Sequence, residues 1–159
     1  MSESPVVLLF PTEVVCKITQ GFGVDNTDVE LLAFYRSLGY NAHNGWDIAP
    51  RDLLPPGIKP VWASDAGSAE VHLNDPTAGN FIVIQHTHGR TRYLHMHDIA
   101  IEDGAAVAAG QLLGHMGKTG AAEGVHLHWD YRPQDNNPGN GYKGLIDPAT
   151  CLIRFKSSI

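Results

Sequence analysis

Positive charge is scarce in this sequence: 11 Lys and Arg stand against 17 Asp and Glu over 159 residues, a formal charge of -6. Such a balance provides no basic footprint for a phosphate backbone or an anionic membrane, which argues against nucleic-acid binding and electrostatic membrane attachment. Cysteine is scarcer still. Cys16 and Cys151 lie near opposite ends of the chain, a spacing that makes neither a zinc ribbon nor a disulfide framework. Two buried free thiols are expected; a bridge between them would require both terminal segments to pair in one sheet. Long hydrophobic runs are missing too. The run Val6 to Phe10 stops at Pro11 with no Lys or Arg before it, which fits neither a signal-peptide core nor a membrane span. Several enzyme signatures are also absent, namely HExxH, the deaminase H-x-E with P-C-x-x-C, and the G-x-S-x-G nucleophile elbow.

What remains is a turn-rich chain with 17 Gly, 10 Pro and 43% hydrophobic residues, too apolar for disorder and the right length for a single domain over 1–159. The clear helix signal is the capping box Thr27-Asp28-Val29-Glu30, followed by Leu31, Leu32, Phe34, Tyr35 and Leu38 at helical spacing and closed by Gly39. Elsewhere short β-rich runs alternate with Gly, Asp and Pro, as in Pro60 to Ala63, Asn80 to Gln85 and Arg92 to Met96. Mainly antiparallel β structure with one short helix near the N-terminus is expected. Phe81–His86 and Thr91–His95 should form a hairpin. Val107 to Gly114 reads as a further short strand, and Gly117 to Gly124 as a loop leading into the alternating segment Val125 to Tyr131.

Nine histidines are the unusual feature. In a strand, residues i and i+2 share a face, so His126 and His128 project together while Leu127 and Trp129 face away. The same rule places Tyr93 and His95 on one face. His43-Asn44-Gly45-Trp46-Asp47 sets a His and an Asp four apart around a glycine that allows a turn. A catalytic zinc takes three protein ligands from His, Asp or Glu and leaves a fourth position open; His43, Asp47 and one of His126 or His128 would supply them. His72, His97 and His115 have no second ligand at a recognisable spacing. His86-x-His88 is the internal competitor, but His88 falls in the predicted turn beside Gly89, so the two are not expected to share a strand face. Trp46 is expected to pack in the core.

With these residues in place, the chain resembles the lysostaphin-type, LytM-like zinc metallopeptidases, which are peptidoglycan endopeptidases. The resemblance rests on H-x-G-x-D at His43 to Asp47, Y-x-H at Tyr93-Leu94-His95 and H-L-H at His126-Leu127-His128, in that order. The glycine-punctuated stretch from Asp103 to Gly120, together with Val61-Trp62-Ala63 and Gly67, matches the connecting segments, and the likeness runs from about Ile18 to Asp147. It implies a LytM-like sheet or sandwich of the duplicated hybrid motif type. It further implies one zinc ion held by His43, Asp47 and His128, with His95 and His126 as catalytic histidines and Tyr93 as a helper. Asp130, where the family has a longer acid, is a departure expected to touch no ligand. The helix upstream of His43 is expected to wall one side of a substrate groove.

The implied activity is hydrolysis of peptide bonds in peptidoglycan stem peptides or cross-bridges by a metal-activated water, with His126 favoured as the base. An inactive LytM-like binding or regulatory module should lack a ligand, and all five His and Asp positions are filled; a biotin- or lipoyl-type carrier would leave the histidines unexplained. A four-ligand structural zinc site would favour Cys. The partner implied is peptidoglycan. With no export signal or spanning segment visible, the expected setting is a phage-type lysin that reaches the wall on a particle or after holin action.

Overall fold

The computed structural model describes residues 4–23 and 29–156. Along the chain run β1 (Val7–Leu9), β2 (Lys17–Gln20), α1 (Val29–Ser37), β3 (Trp46–Ala49), β4 (Pro60–Trp62), β5 (Gly67–Asp75), β6 (Gly79–Gln85) and β7 (Gly89–Ile99). They are followed by β8 (Ala106–Val107), β9 (Leu112–Met116), β10 (Leu127–Pro133), a 3-10 turn at Pro148–Thr150, and β11 (Leu152–Arg154). The expected helix is present as α1; Thr27 and Asp28 of its capping box lie outside the described residues.

The main sheet has the order β2-β3-β10-β7-β6-β5-β8 and is antiparallel throughout. Strand β7 is long enough to serve two partners, pairing with β10 through its first half and with β9 through its second, while β9 in turn carries β4. One face of this sheet is apolar. Leu127, Trp129 and Tyr131 of β10 alternate into a core with Ile48, Ile82, Ile84, Tyr93, Met96 and Leu113, all essentially unexposed. Each such side chain contributes roughly 1.5 to 3 kcal/mol when fully buried. That burial fixes which residues of β10 point the other way.

The termini behave partly as expected. Strands β1 and β11 form a separate parallel pair, yet Cys16 and Cys151 remain free, the first buried and the second half-buried. The hairpin β6–β7 is also formed. The 107–114 segment is divided: Ala106–Val107 pairs with β5, a turn intervenes, and β9 begins at Leu112.

Candidate metal centre and active-site groove

The pairing of β3 with β10 builds the centre. Asp47 lies directly opposite His128 in the antiparallel register, and directly opposed side chains have Cβ atoms about 4.5 to 5.5 Å apart. Asp47 Oδ1 is accordingly 3.1 Å from His128 Nδ1. His43, in the turn before β3, brings its Nε2 to 3.1 Å from the same oxygen, and His126 Nε2 is 3.6 Å away. One ligand atom from each of His43, Asp47 and His128 fits within 4.8 Å of the others. Gly45 allows this approach for a reason other than turn conformation: a Cβ there would lie 2.5 Å from the Trp129 carbonyl oxygen and 3.0 Å from His128 Nε2.

The hydrogen bonds at the back of each ring fix its protonation. His43 Nδ1 lies 2.9 Å from the Gly21 carbonyl, His126 Nδ1 2.9 Å from that of Gly124, and His95 Nδ1 2.8 Å from that of Thr119. A carbonyl only accepts, so each Nδ1 donates and each Nε2 is left with its lone pair. For His128 the arrangement is reversed: Nε2 faces Asp130 Oδ2 at 3.0 Å, which leaves Nδ1 to the centre. The inward ring nitrogens of His43 and His128 thus converge on a carboxylate oxygen. His43 Nε2 is buried and has no hydrogen-bond partner. The arrangement calls for positive charge among these atoms, a proton on His128 Nδ1 or a cation in its place, and two imidazoles with one carboxylate is a donor set suited to zinc. The residues present therefore fit the metal.

Electrostatics show the same pull toward positive charge. Burial would lower the pKa of His128, but hydrogen bonds and charges from Asp130 and Asp47 outweigh it and push it up to about 9. Burial would likewise raise Asp47, yet His128 and His43 hold it well below the usual carboxylate range. His95 moves the opposite way. Burial, helped by neighbouring His126, lowers it to about 4, so its ring is neutral at neutral pH.

His95 enters the groove because β7 bulges. Ile82 pairs with Tyr93 and Asn80 with Met96, so two steps on β6 are matched by three on β7. The extra residue, His95, has φ of 67°, a left-handed backbone that costs a non-glycine residue about 1 to 3 kcal/mol. This corrects the simple alternation that would seat Tyr93 and His95 together. Tyr93 instead lies in the core, its hydroxyl accepting from Ser64 N–H at 2.8 Å and contacting Thr91 Oγ1 at 2.7 Å. The structure brings His43, Asp47, His95, His126 and His128 into one groove and leaves Tyr93 out.

The bracing of His128 was not legible in advance. Asp130 does touch a ligand, contrary to the expectation from sequence, and is itself gripped by Arg92 through Nε at 2.8 Å and a second guanidinium nitrogen at 2.6 Å. Its place two residues beyond His128 on the same strand face was the available signal. The carbonyls of Gly21, Thr119 and Gly124 left none. Leu31, Phe34 and Tyr35 of α1, with Leu38 just beyond it, wall the groove as expected, and Trp46 packs on Trp129 with ring centroids 5.5 Å apart.

The competing pair is closer than the turn suggested. His86 and His88 stack with centroids 4.9 Å apart, and together with Asp65 they form a second group of metal-competent side chains. All four of their ring nitrogens, however, have protein partners: Ala66 O and Thr91 Oγ1 for His86, and Tyr131 Oη and Asp65 Oδ2 for His88.

Residues 41–140 match peptidase family M23. The chain belongs to that family. Among curated relatives, this M23 chain is 43% identical to the peptidoglycan DD-endopeptidase ShyA of Vibrio cholerae over 111 residues, and 39% identical to ShyB of the same organism. Each match covers 69% of this chain and only about a quarter of the relative. A zinc-containing peptidase from Vibrio cholerae superposes with a TM-score of 0.68 at 27% identity, over 91% of this chain and 40% of that one. The catalytic domain of lysostaphin from Staphylococcus simulans shares the fold, with a TM-score of 0.64 at 23% identity over 84% of this chain and 90% of that domain.

Proposed function

We propose that this M23 domain is a zinc-dependent endopeptidase that hydrolyses amide bonds in the peptide cross-links of peptidoglycan. The observation that carries this reading is the convergence of His43 Nε2 and His128 Nδ1 on Asp47 Oδ1, with His43 Nε2 buried and without a hydrogen-bond partner. These three residues would hold the ion. A bound zinc supplies a Lewis acid for the scissile carbonyl and makes water acidic enough to attack near neutral pH. The likeness to peptidoglycan DD-endopeptidases supports the substrate class.

The chain's own histidines would move the proton. His126 Nε2 carries a lone pair beside Asp47, and its ring is steadied by Gly124, so it accepts the proton from water and returns it to the leaving amine. His95 is also an acceptor at Nε2. Its low pKa suits it to orienting water rather than holding a proton, and it could donate to a developing oxyanion only after protonation. Tyr93 is too deeply engaged in the core to join them. A phage-type lysin delivered to the wall on a particle or through a membrane lesion suits a domain of charge -6, which gains no electrostatic capture on an anionic wall.

The test is digestion of purified sacculi with mass analysis of the fragments. Cross-link cleavage should disappear with chelator and return with zinc. Full activity in a demonstrably metal-free preparation would overturn the proposal.

A further inference from the structure

Beyond the histidines, the groove carries charges of both signs, Glu30, Asp75 and Glu123 with Arg92 and Lys143. Asp75 and Glu123 line it near the His95 and His126 side: the Asp75 carboxylate caps the turn whose Ala78 carbonyl receives the His95 N–H, and Glu123 precedes the Gly124 that holds His126. Tyr40, Arg92 and Lys143 line it as well. Arg92 is already committed, with both arms of its guanidinium on Asp130. Lys143 is exposed, and among the described residues it forms no ion pair with a carboxylate. Its ammonium instead rests 4.9 Å from the centre of the Tyr40 ring.

Lys143 is held in place at a conformational cost. Its φ is 52°, the left-handed region that favours glycine and is disfavoured for lysine. The surrounding turn is braced: Asn140 Oδ1 accepts from Tyr142 N–H and Gly144 N–H at 2.8 and 3.1 Å, while Asn140 Nδ2 donates to the Leu145 carbonyl at 2.9 Å. Asn41 N–H ties this turn to the segment before His43 through the Gly141 carbonyl. Space for the lysine stem comes from Gly39, where a Cβ would lie 2.7 Å from Lys143 Cε. Residues strained by a braced surrounding cluster at ligand-binding places. A cation presented this way at a groove wall, in a protein otherwise short of positive charge, has the chemistry to receive an anion.

We propose that Lys143 is a specificity-determining contact that takes a free carboxylate of the substrate, so that the enzyme prefers cross-link peptides whose diamino acid carries an ionised carboxylate over their amidated counterparts. This rests on the peptidase reading above. Lys143 lines the same groove as His43, Asp47 and His128, so a peptide laid along it meets both the lysine and the metal ligands. Replacing the carboxylate by a neutral amide would remove the charge that Lys143 recognises.

The test is steady-state hydrolysis, by the zinc-loaded protein, of two purified cross-linked muropeptide dimers that differ only in whether the diamino-acid carboxyl is free or amidated. The wild type should favour the free acid by about tenfold or more in kcat/KM, through KM. Lys143→Met, which keeps the apolar stem, should bring the ratio close to one, and Lys143→Arg should keep most of it. Lys143→Gly should also lose the preference yet raise the thermal midpoint by relieving the positive φ, a gain that a purely structural lysine would not give. Equal wild-type rates on the two dimers, or a preference that survives Lys143→Met, would overturn this inference alone. Failure of the wild type to cut either dimer would overturn the peptidase reading and this one with it.

Discussion

Two clusters of histidine and aspartate are built on the same antiparallel sheet, and their hydrogen bonds set them apart. In the Asp65–His86–His88 group every ring nitrogen has a protein partner. Ser64 N–H donates to Tyr93, the Tyr93 hydroxyl to Thr91, the Thr91 hydroxyl to His86 Nε2, and His86 Nδ1 to the Ala66 carbonyl. That chain has a donor for each acceptor and needs nothing added. In the His43–Asp47–His128 group the back of each ring is satisfied while the fronts converge on one carboxylate oxygen, and His43 Nε2 is an orphan. The ligand types are the same in both groups. Whether the donors are spent inside the protein is what separates a structural cluster from a site.

The comparison can be broken most decisively at the ligands. His128→Ala should empty the site and lower cross-link hydrolysis by roughly 10³-fold or more, whereas His88→Ala should leave one zinc per chain. Elemental analysis beside turnover would check both, and a His88 variant that lost the metal would erase the distinction. Next in size, His126→Ala should keep the zinc and lose on the order of 10² to 10⁴ in rate, the usual contribution of a positioned base; His95→Ala should do the same. A metal-free His126→Ala beside a loaded His128→Ala would exchange their roles. Asp130→Ala should weaken zinc affinity by about 10- to 100-fold, as loss of an orienting partner does. It also strands Arg92 and should cost about 3 to 5 kcal/mol of stability in denaturant titration.

The smallest effect belongs to the closed cluster and sharpens the contrast through pH. Burial lowers the pKa of His86 below its ordinary value of 6.5, with the charge of His88 contributing. The unfolded chain therefore binds the proton first on acidification. The stability due to neutral His86 is complete above about pH 6.5 and is lost progressively as pH falls from there to its lower folded value. A His86→Gln variant should show a shallower decline in thermal midpoint between pH 7.5 and 5 than the wild type, with zinc content unchanged at pH 7.5. An equally steep decline would place the pH dependence elsewhere.

Much of the site was legible in the linear order because it depends on side-chain periodicity. His126 and His128 share a face since β10 alternates, and Leu127 and Trp129 are driven to the other face by burial. Helix α1 walls the groove where its apolar spacing placed it. The same rule failed at His95, because a bulge inserts a residue and moves every following side chain to the opposite face. Asp130 was overlooked for a different reason: its importance depends on Arg92, 38 residues away and meeting it only across the β7–β10 pairing.

By itself, the sequence determined the helix α1, the hairpin β6–β7, which stretch of β10 is apolar on one face, and which residue types were on hand for a metal. Local spacing and solvent aversion act along a few consecutive residues, so both can be read in order. Tertiary structure alone decided which nitrogens remain available. That depends on backbone carbonyls at Gly21, Thr119 and Gly124 and on the register between distant strands, and an atom's hydrogen-bond partner is settled only when the chain closes around it.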